Sequence, residues 1–195
     1  MTQRTEIASR KSSRDVWISI GSNLSGAWNK PLQAVQNSLL MVEEMGLHVK
    51  VVSDYYVTRP IGGGRQLPFV NAVACVSGNM PPARMLHAFK QLERLAGRRL
   101  GRHWGPRPLD LDILDAGVVF GKPSRGRRRA GQLILPHPEL HKRAFVLVPL
   151  AQIAPHWRHP SLDRGLRALL NDPAVKIQLQ GVRRGGALTM PSAPR

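Results

Sequence analysis

The order in which strand-like and helix-like periodicities alternate narrows the fold of this chain more than any other feature. Asp15 to Gly21 reads as a short strand, and Gly21-Ser22-Asn23 turns out of it. From Pro31 to Glu44 the apolar residues Leu32, Val35, Leu39 and Val42 recur at spacings of three and four, which predicts an amphipathic helix. Pro31 lies in its first turn and Gly46 just past its end, where each residue is conformationally at home. Leu47 to Val57 and Phe69 to Val76 are rich in β-branched residues and read as two strands, joined by the polar, glycine-rich loop Thr58 to Pro68. Asn79 offers an N-cap for a second helix lined by Leu86, Phe89, Leu92 and Leu95, which stops near Gly97. Pro108 to Phe120 reads as a strand interrupted near Ala116-Gly117. The resulting β-α-β-β-α-β order predicts an α+β, ferredoxin-like fold, an antiparallel sheet flanked by helices in α-β-α layers.

Beyond this unit a basic loop leads to Gln132–Leu135, expected as a short strand. A third helix is expected within His137–Ile153, starting at Arg143 or Ala144, and a short one within Leu162–Leu170. Residues 1–13 read as a flexible arm and 14–172 as a single domain. Residues 173–195 read as a C-terminal tail, mostly disordered, above all from Gly181 onward. The lone Cys75 sits in an apolar strand and reads as core filler. No apolar stretch reaches membrane-spanning length and none follows the basic N-terminus, so a cytoplasmic protein without a membrane partner is expected.

Charge adds a second constraint. Lys and Arg number 29 against 12 Asp and Glu, a formal net charge of +17 that attracts polyanions, whether nucleic acid, acidic membrane or nucleotide phosphates. One basic cluster, Arg94, Arg98, Arg99, Arg102 and Arg107, ends against the pair Asp110 and Asp112. In a strand, residues two apart project from one face, so both carboxylates are expected on one side and Leu109, Leu111 and Ile113 in the core. Paired carboxylates hold hard cations such as Mg²⁺, and Arg107 just before them can reach a phosphate that the metal bridges. Gly105-Pro106 forces a defined turn that fixes Arg107 relative to the aspartates.

The segment Trp104-Gly105-Pro106-Arg107-Pro108-Leu109-Asp110-Leu111-Asp112-Ile113-Leu114 closely resembles the signature of the 6-hydroxymethyl-7,8-dihydropterin pyrophosphokinase family. Four other segments agree in order and spacing: Ile18 to Leu24, Tyr56 to Gly62, Phe69 to Ala72, and Leu135 to Leu147. The resemblance implies a transferase of folate biosynthesis that moves the terminal diphosphate of ATP onto a reduced pterin alcohol. Asp110 and Asp112 would hold two Mg²⁺ ions, with Arg98 and Arg107 on the transferring phosphates. Thr58, Ile61, Phe69, Asn71 and Phe145 would bind the pterin, the two phenylalanines as walls of a sandwich. Glu93, Trp104, Arg107, Ile113, His137 and Arg143 would border or bind ATP. The family pattern departs between Gly97 and Gly105, where Leu100 and His103 occupy two usual arginine positions and Arg99 and Arg102 lie one position away.

The expected partners are ATP and the pterin alcohol, with the chain acting as a monomer and binding no specific nucleic acid. Two other classes stay open: a basic nucleic-acid-binding protein, and an inactive family member acting as a scaffold.

Overall fold

The computed structural model describes residues 14–60, 66–99, 105–121 and 132–190. Its centre is a six-stranded antiparallel sheet in the order β5-β1-β4-β3-β6, with β2 paired to β4 beside that path. The strands are β1 (Arg14–Ser22), β2 (His48–Val52), β3 (Tyr55–Thr58), β4 (Phe69–Gly78), β5 (Asp110–Asp115) and β6 (Val182–Gly186). The helices are α1 (Pro31–Glu44), α2 (Pro82–Leu95), α3 (Ala144–Ile153), α4 (Leu166–Leu170) and α5 (Pro173–Leu179).

Strand alternation sorts the core into two layers. Ile18 and Ile20 of β1, Ala72 and Ala74 of β4, and Leu111 and Ile113 of β5 pack with Val35, Leu39, Phe89 and Leu92 of α1 and α2. Val73 and Leu114 point the other way and pack with Val146, Leu147 and Leu150 of α3, with Leu166 and Leu169 of α4 and with Val175 of α5. The sheet is thus covered on both faces, as the ferredoxin-like α-β-α expectation requires. Among the described residues no helix is long and apolar enough to cross a membrane.

Several boundaries differ from expectation, each for a local reason. The run Leu47–Val57 is two strands, because at Ser53 a hydroxyl replaces backbone in the ladder: Ser53 Oγ accepts the Val73 N–H at 3.1 Å and donates to the Asp54 carbonyl at 2.7 Å. The second helix starts at Pro82, after an extended Pro81 rather than at Asn79, since two prolines fix the entry. Gln132–Leu135 is not a strand; only Leu135 bridges, to Phe120, and the following Pro136 has no N–H with which to extend the pairing.

The largest correction concerns the C-terminus. Folded structure continues well past residue 172, through α5 and β6 and on to Leu188, which is buried in the first core layer. Strand β6 pairs antiparallel with β3, Thr58 facing Val182 and Tyr56 facing Arg184. Gly185 is glycine because Tyr55 needs the room: a Cβ there would sit 1.9 Å from the Tyr55 ring. Arg184 also pairs with the buried Asp54.

Candidate active site

The site lies on the α3 side of the sheet, where β1, β4 and β5 run side by side. Gly21 of β1 faces Asn71 of β4 on one side and Asp110 of β5 on the other, and Ser19 faces Asp112. Cross-strand partners share a face, so both aspartates and Asn71 project together. Glycine at 21 is required by this approach, since a Cβ there would lie 2.7 Å from Asn71 Oδ1.

The turn before β5 is locked to the end of β1. Asn23 Oδ1 accepts the Arg107 N–H at 2.7 Å, and the Arg107 carbonyl accepts the N–H groups of Asn23 at 3.0 Å and Leu24 at 3.2 Å. Ser22 Oγ donates to the Pro108 carbonyl at 2.7 Å. Asn23 and Ser22 are both fully buried, so Arg107 is fixed from beneath rather than by its own Gly-Pro turn alone.

The two carboxylates are surrounded by cations. Asp110 Oδ1 accepts from Arg98 Nη1 at 2.7 Å and from Arg107 Nη1 at 2.6 Å. Asp112 has Arg143 Nη1 at 3.7 Å, with Lys90 Nζ and His137 Nε2 each at 3.9 Å. Burial disfavours the Asp112 charge, but His137, Lys90, Arg143 and Arg107 outweigh it and hold the carboxyl below its ordinary range. Asp112 is therefore ionised at neutral pH. Among the described residues no group of three or more His, Cys, Asp or Glu side chains gathers. Two carboxylates opening on one cavity suit a hard divalent cation that takes its remaining oxygens from water and substrate.

Glu93 stands behind this face, on α2, and is 2% exposed. Its Oε1 accepts the Leu111 N–H at 2.9 Å and Lys90 Nζ at 2.6 Å, and its Oε2 pairs with Arg98 Nη1 at 2.6 Å. Burial pushes its carboxyl up, against the opposing pull of Lys90 and Arg98.

A cavity of about 390 Å³ opens in front of the aspartates. Thr58, Phe69, Asn71, Arg107, Arg143 and Phe145 all line it, as sequence reasoning expected of a shared site. Asn71 Nδ2 donates to Thr58 Oγ1 at 2.7 Å, which among the described residues leaves the threonine proton and the asparagine carbonyl to meet a polar-edged ring. The Arg143 guanidinium lies 5.7 Å from the centre of the Phe145 ring. Arg98 and His137 are brought to the carboxylates. Ile113 is not brought to the cavity: alternation along β5 buries its side chain, 3% exposed, in the α1–α2 core. Ile61 and Trp104 lie outside the described residues, as do Leu100, Arg102 and His103, while Arg99 is exposed.

Sequence reasoning missed Lys90, Asn23 and, on the far wall, Ala174 and Gln178 of α5. A signal for α5 existed: Asp172-Pro173 is a cap followed by a first-turn proline, and Asp172 Oδ1 does accept the Ala174 N–H at 3.1 Å. Val175 and Leu179, four apart, supply its apolar face.

The chain is similar in sequence and in fold to known proteins. The family model described as 7,8-dihydro-6-hydroxymethylpterin-pyrophosphokinase matches residues 17–155. A 2-amino-4-hydroxy-6-hydroxymethyldihydropteridine pyrophosphokinase of Pseudomonas aeruginosa is 38% identical over 146 residues, covering 74% of this chain and 83% of that protein. One of the same description from Bacillus subtilis is 36% identical over 137 residues, 70% of this chain and 76% of that protein. Among solved structures, wild-type HPPK-DHPS of Plasmodium falciparum superposes with a TM-score of 0.63 over 91% of this chain at 14% identity. That likeness is one of fold, and this chain spans about half of that protein's length, 49%. By the extent of the matched segment and the identity to these relatives, the chain belongs to the 7,8-dihydro-6-hydroxymethylpterin-pyrophosphokinase family.

Proposed function

We propose that the chain transfers diphosphate from ATP to 6-hydroxymethyl-7,8-dihydropterin, releasing AMP, with Mg²⁺ held by Asp110 and Asp112. The observation that carries this reading is the adjacency, in one cavity, of an aromatic and amide-lined slot and a carboxylate pair ringed by cations. Phe69 and Phe145 offer ring faces to a flat heterocycle, and Asn71 with Thr58 offers a donor and an acceptor for its edge. Arg143, His137 and Lys90 lie where the anionic chain of a triphosphate would run past Asp112.

The reaction is a direct displacement. The pterin hydroxymethyl oxygen attacks the β-phosphorus, the bond from that phosphorus to the oxygen bridging α and β breaks, and AMP leaves with the electron pair. The hydroxyl proton passes to solvent or phosphate oxygen. Bound Mg²⁺ would neutralise the phosphate oxygens and align them. Arg98 and Arg107, now paired with Asp110, are placed to turn toward the phosphates and offset the negative charge that grows on them. The reading takes the chain to act as a monomer in the cytoplasm.

Chromatographic assay of AMP formed from ATP and Mg²⁺, with and without the reduced pterin alcohol, tests the reading. Pterin-dependent AMP is expected. AMP release that ignores the pterin, or none at all, would exclude it.

A further inference from the structure

Helix α3 carries two residues of the site at its start, Arg143 at the N-cap and Phe145 in the first turn. The first N–H groups of any helix lack partners within it, and an N-cap side chain usually accepts one of them. Arg143 has no acceptor to offer, and its guanidinium is turned instead toward Asp112, 3.7 Å away. The missing oxygen comes from α5. Gln178 Oε1 accepts the Ala144 N–H at 3.1 Å, and Gln178 Nε2 donates to the Lys142 carbonyl at 2.8 Å. One amide thus takes the backbone groups on either side of Arg143.

The helix that presents Gln178 is itself anchored. Val175 is buried in the second core layer, and just beyond α5 the Gly181 carbonyl accepts the Arg59 N–H at 3.1 Å. Strand β6 then pairs with β3 at Thr58, another wall of the cavity. Val175, Gln178, Gly181 and β6 all lie beyond residue 155, where the match to the family model ends. Gln178 also lines the cavity, but its amide is already engaged with the backbone.

We propose that Gln178 is a positioning residue for Arg143, and that the segment from α5 to β6 is a built part of the active site. Gln178 sets the backbone from which the Arg143 guanidinium reaches the nucleotide phosphates, so its loss weakens ATP binding through Arg143. This rests on the proposed function through the contact of Arg143 with ATP.

The test is a double-mutant cycle read by calorimetry, with a non-hydrolysable ATP analogue and Mg²⁺ as the probe. Gln178→Met keeps length and loses both hydrogen bonds. Gln178→Glu keeps the acceptor for Ala144 and loses the donor. With Arg143 intact, Gln178→Met is expected to raise the Kd about tenfold, the scale on which two ordering hydrogen bonds act, and Gln178→Glu about threefold. Combined with Arg143→Ala, both effects should shrink to within about twofold, because the residue they act through is gone. A merely structural role would give equal effects in both backgrounds, and that result overturns the proposal, as does an unchanged Kd when Arg143 is intact. Circular dichroism establishes folding; should Gln178→Met unfold, Gln178→Glu carries the same cycle. A wild-type chain that binds no analogue would overturn the proposed function as well, whereas binding by the wild type with no shift on substitution overturns only the role of Gln178.

Discussion

The carboxylate of Glu93 accepts the backbone N–H of Leu111 at 2.9 Å, and Leu111 is the residue between Asp110 and Asp112. Lys90, one helical turn before Glu93, donates to the Leu111 carbonyl at 3.2 Å. Among the described residues β5 is an edge strand paired only with β1, and alternate residues of such a strand turn both backbone groups outward. At Leu111 the outward groups meet two side chains of α2 where a neighbouring strand would otherwise stand. The peptide spacing the two aspartates is held from both sides, by β1 through Asp110 and Asp112 and by α2 through Leu111.

Glu93→Gln should therefore cost more than its shape suggests. Both carboxylate oxygens receive donors, from Leu111 and Lys90 on one and from Arg98 on the other. An amide must point its NH₂ at one of these donors whichever way it turns. A loss of about 1–3 kcal/mol in unfolding free energy is expected, typical of an unsatisfied buried group, together with slower turnover. Urea unfolding with an unchanged slope and a lowered midpoint is the signature; an unmoved midpoint would mean that the three donors find other acceptors.

At the carboxylates themselves the opposite pattern is expected. Asp110→Asn and Asp112→Asn keep size and sit at the cavity rather than in the core. Each removes a negative charge on which the proposed divalent cation would depend, and pterin-dependent AMP formation should fall by on the order of a thousandfold. Circular dichroism should be unchanged. Near-normal activity of either variant at saturating Mg²⁺ would remove the metal assignment.

How much of this was legible in the sequence divides along a physical line. Repeating apolar patterns exposed α1, α2 and the inward face of β5, because burial of a stripe or an alternate face is a local property of the chain. The short-range constellation Arg107, Asp110 and Asp112 was visible for the same reason. The supports were not. Asn23 reaches Arg107 across 84 positions and Gln178 reaches Ala144 across 34, and a polar side chain that serves distant backbone leaves no periodic trace. β6 was hidden differently, since Val182-Arg183-Arg184-Gly185-Gly186 has the composition of a tail, and only the Tyr55 ring lying on Gly185 explains the glycine.

Cys75 supplies a check on the core. It lies in β4 at 3% exposure, and burial pushes its thiol up to about 11. Thiolate is the reactive form, so a disulfide reagent at pH 8 should modify the native protein slowly and the guanidinium-unfolded protein at once. Equal rates in the two states would show that β4 opens far more readily than a central strand should.

Stability should depend on pH through His159. Its Nδ1 accepts the N–H groups of Ser161 and Leu162, each at 3.2 Å, so the neutral ring carries its proton on Nε2, which is buried without a partner among the described residues. Burial depresses its pKa, and the neighbouring His141 depresses it further, against a weaker opposing pull from Asp115. His141 is likewise depressed by burial and by Lys142 and Arg164, against Glu139 and Asp172. A histidine whose pKa is lower folded than unfolded binds fewer protons in the native state, so stability rises with pH across that window. The full stability should stand above the unfolded value of about 6.5 and be lost as pH falls from there toward the depressed folded values. His159→Asn keeps an acceptor near the Nδ1 position and cannot take up the proton. Urea midpoints measured from pH 7.5 to 5 should fall for the wild type and fall less for His159→Asn; parallel curves would place the acid sensitivity elsewhere.

Gly21→Ala separates the proposed ring-binding edge from the proposed metal site. The added methyl would meet Asn71 Oδ1 at 2.7 Å, closer than a real Cβ contact allows. The same amide donates to Thr58 Oγ1 at 2.7 Å, so it cannot yield without giving up that bond. The backbone of Gly21 needs no left-handed conformation, and the strand pairing with Asn71 and Asp110 should persist. The expected outcome is a KM for the pterin alcohol raised about tenfold, the cost of one misplaced hydrogen-bonding group of roughly 1.4 kcal/mol. The KM for ATP should stay within about twofold, since the cations around Asp112 are untouched. An equal rise in both constants would mean that the substitution acts on the carboxylates through Asp110, its other cross-strand neighbour, and not on the ring-binding edge.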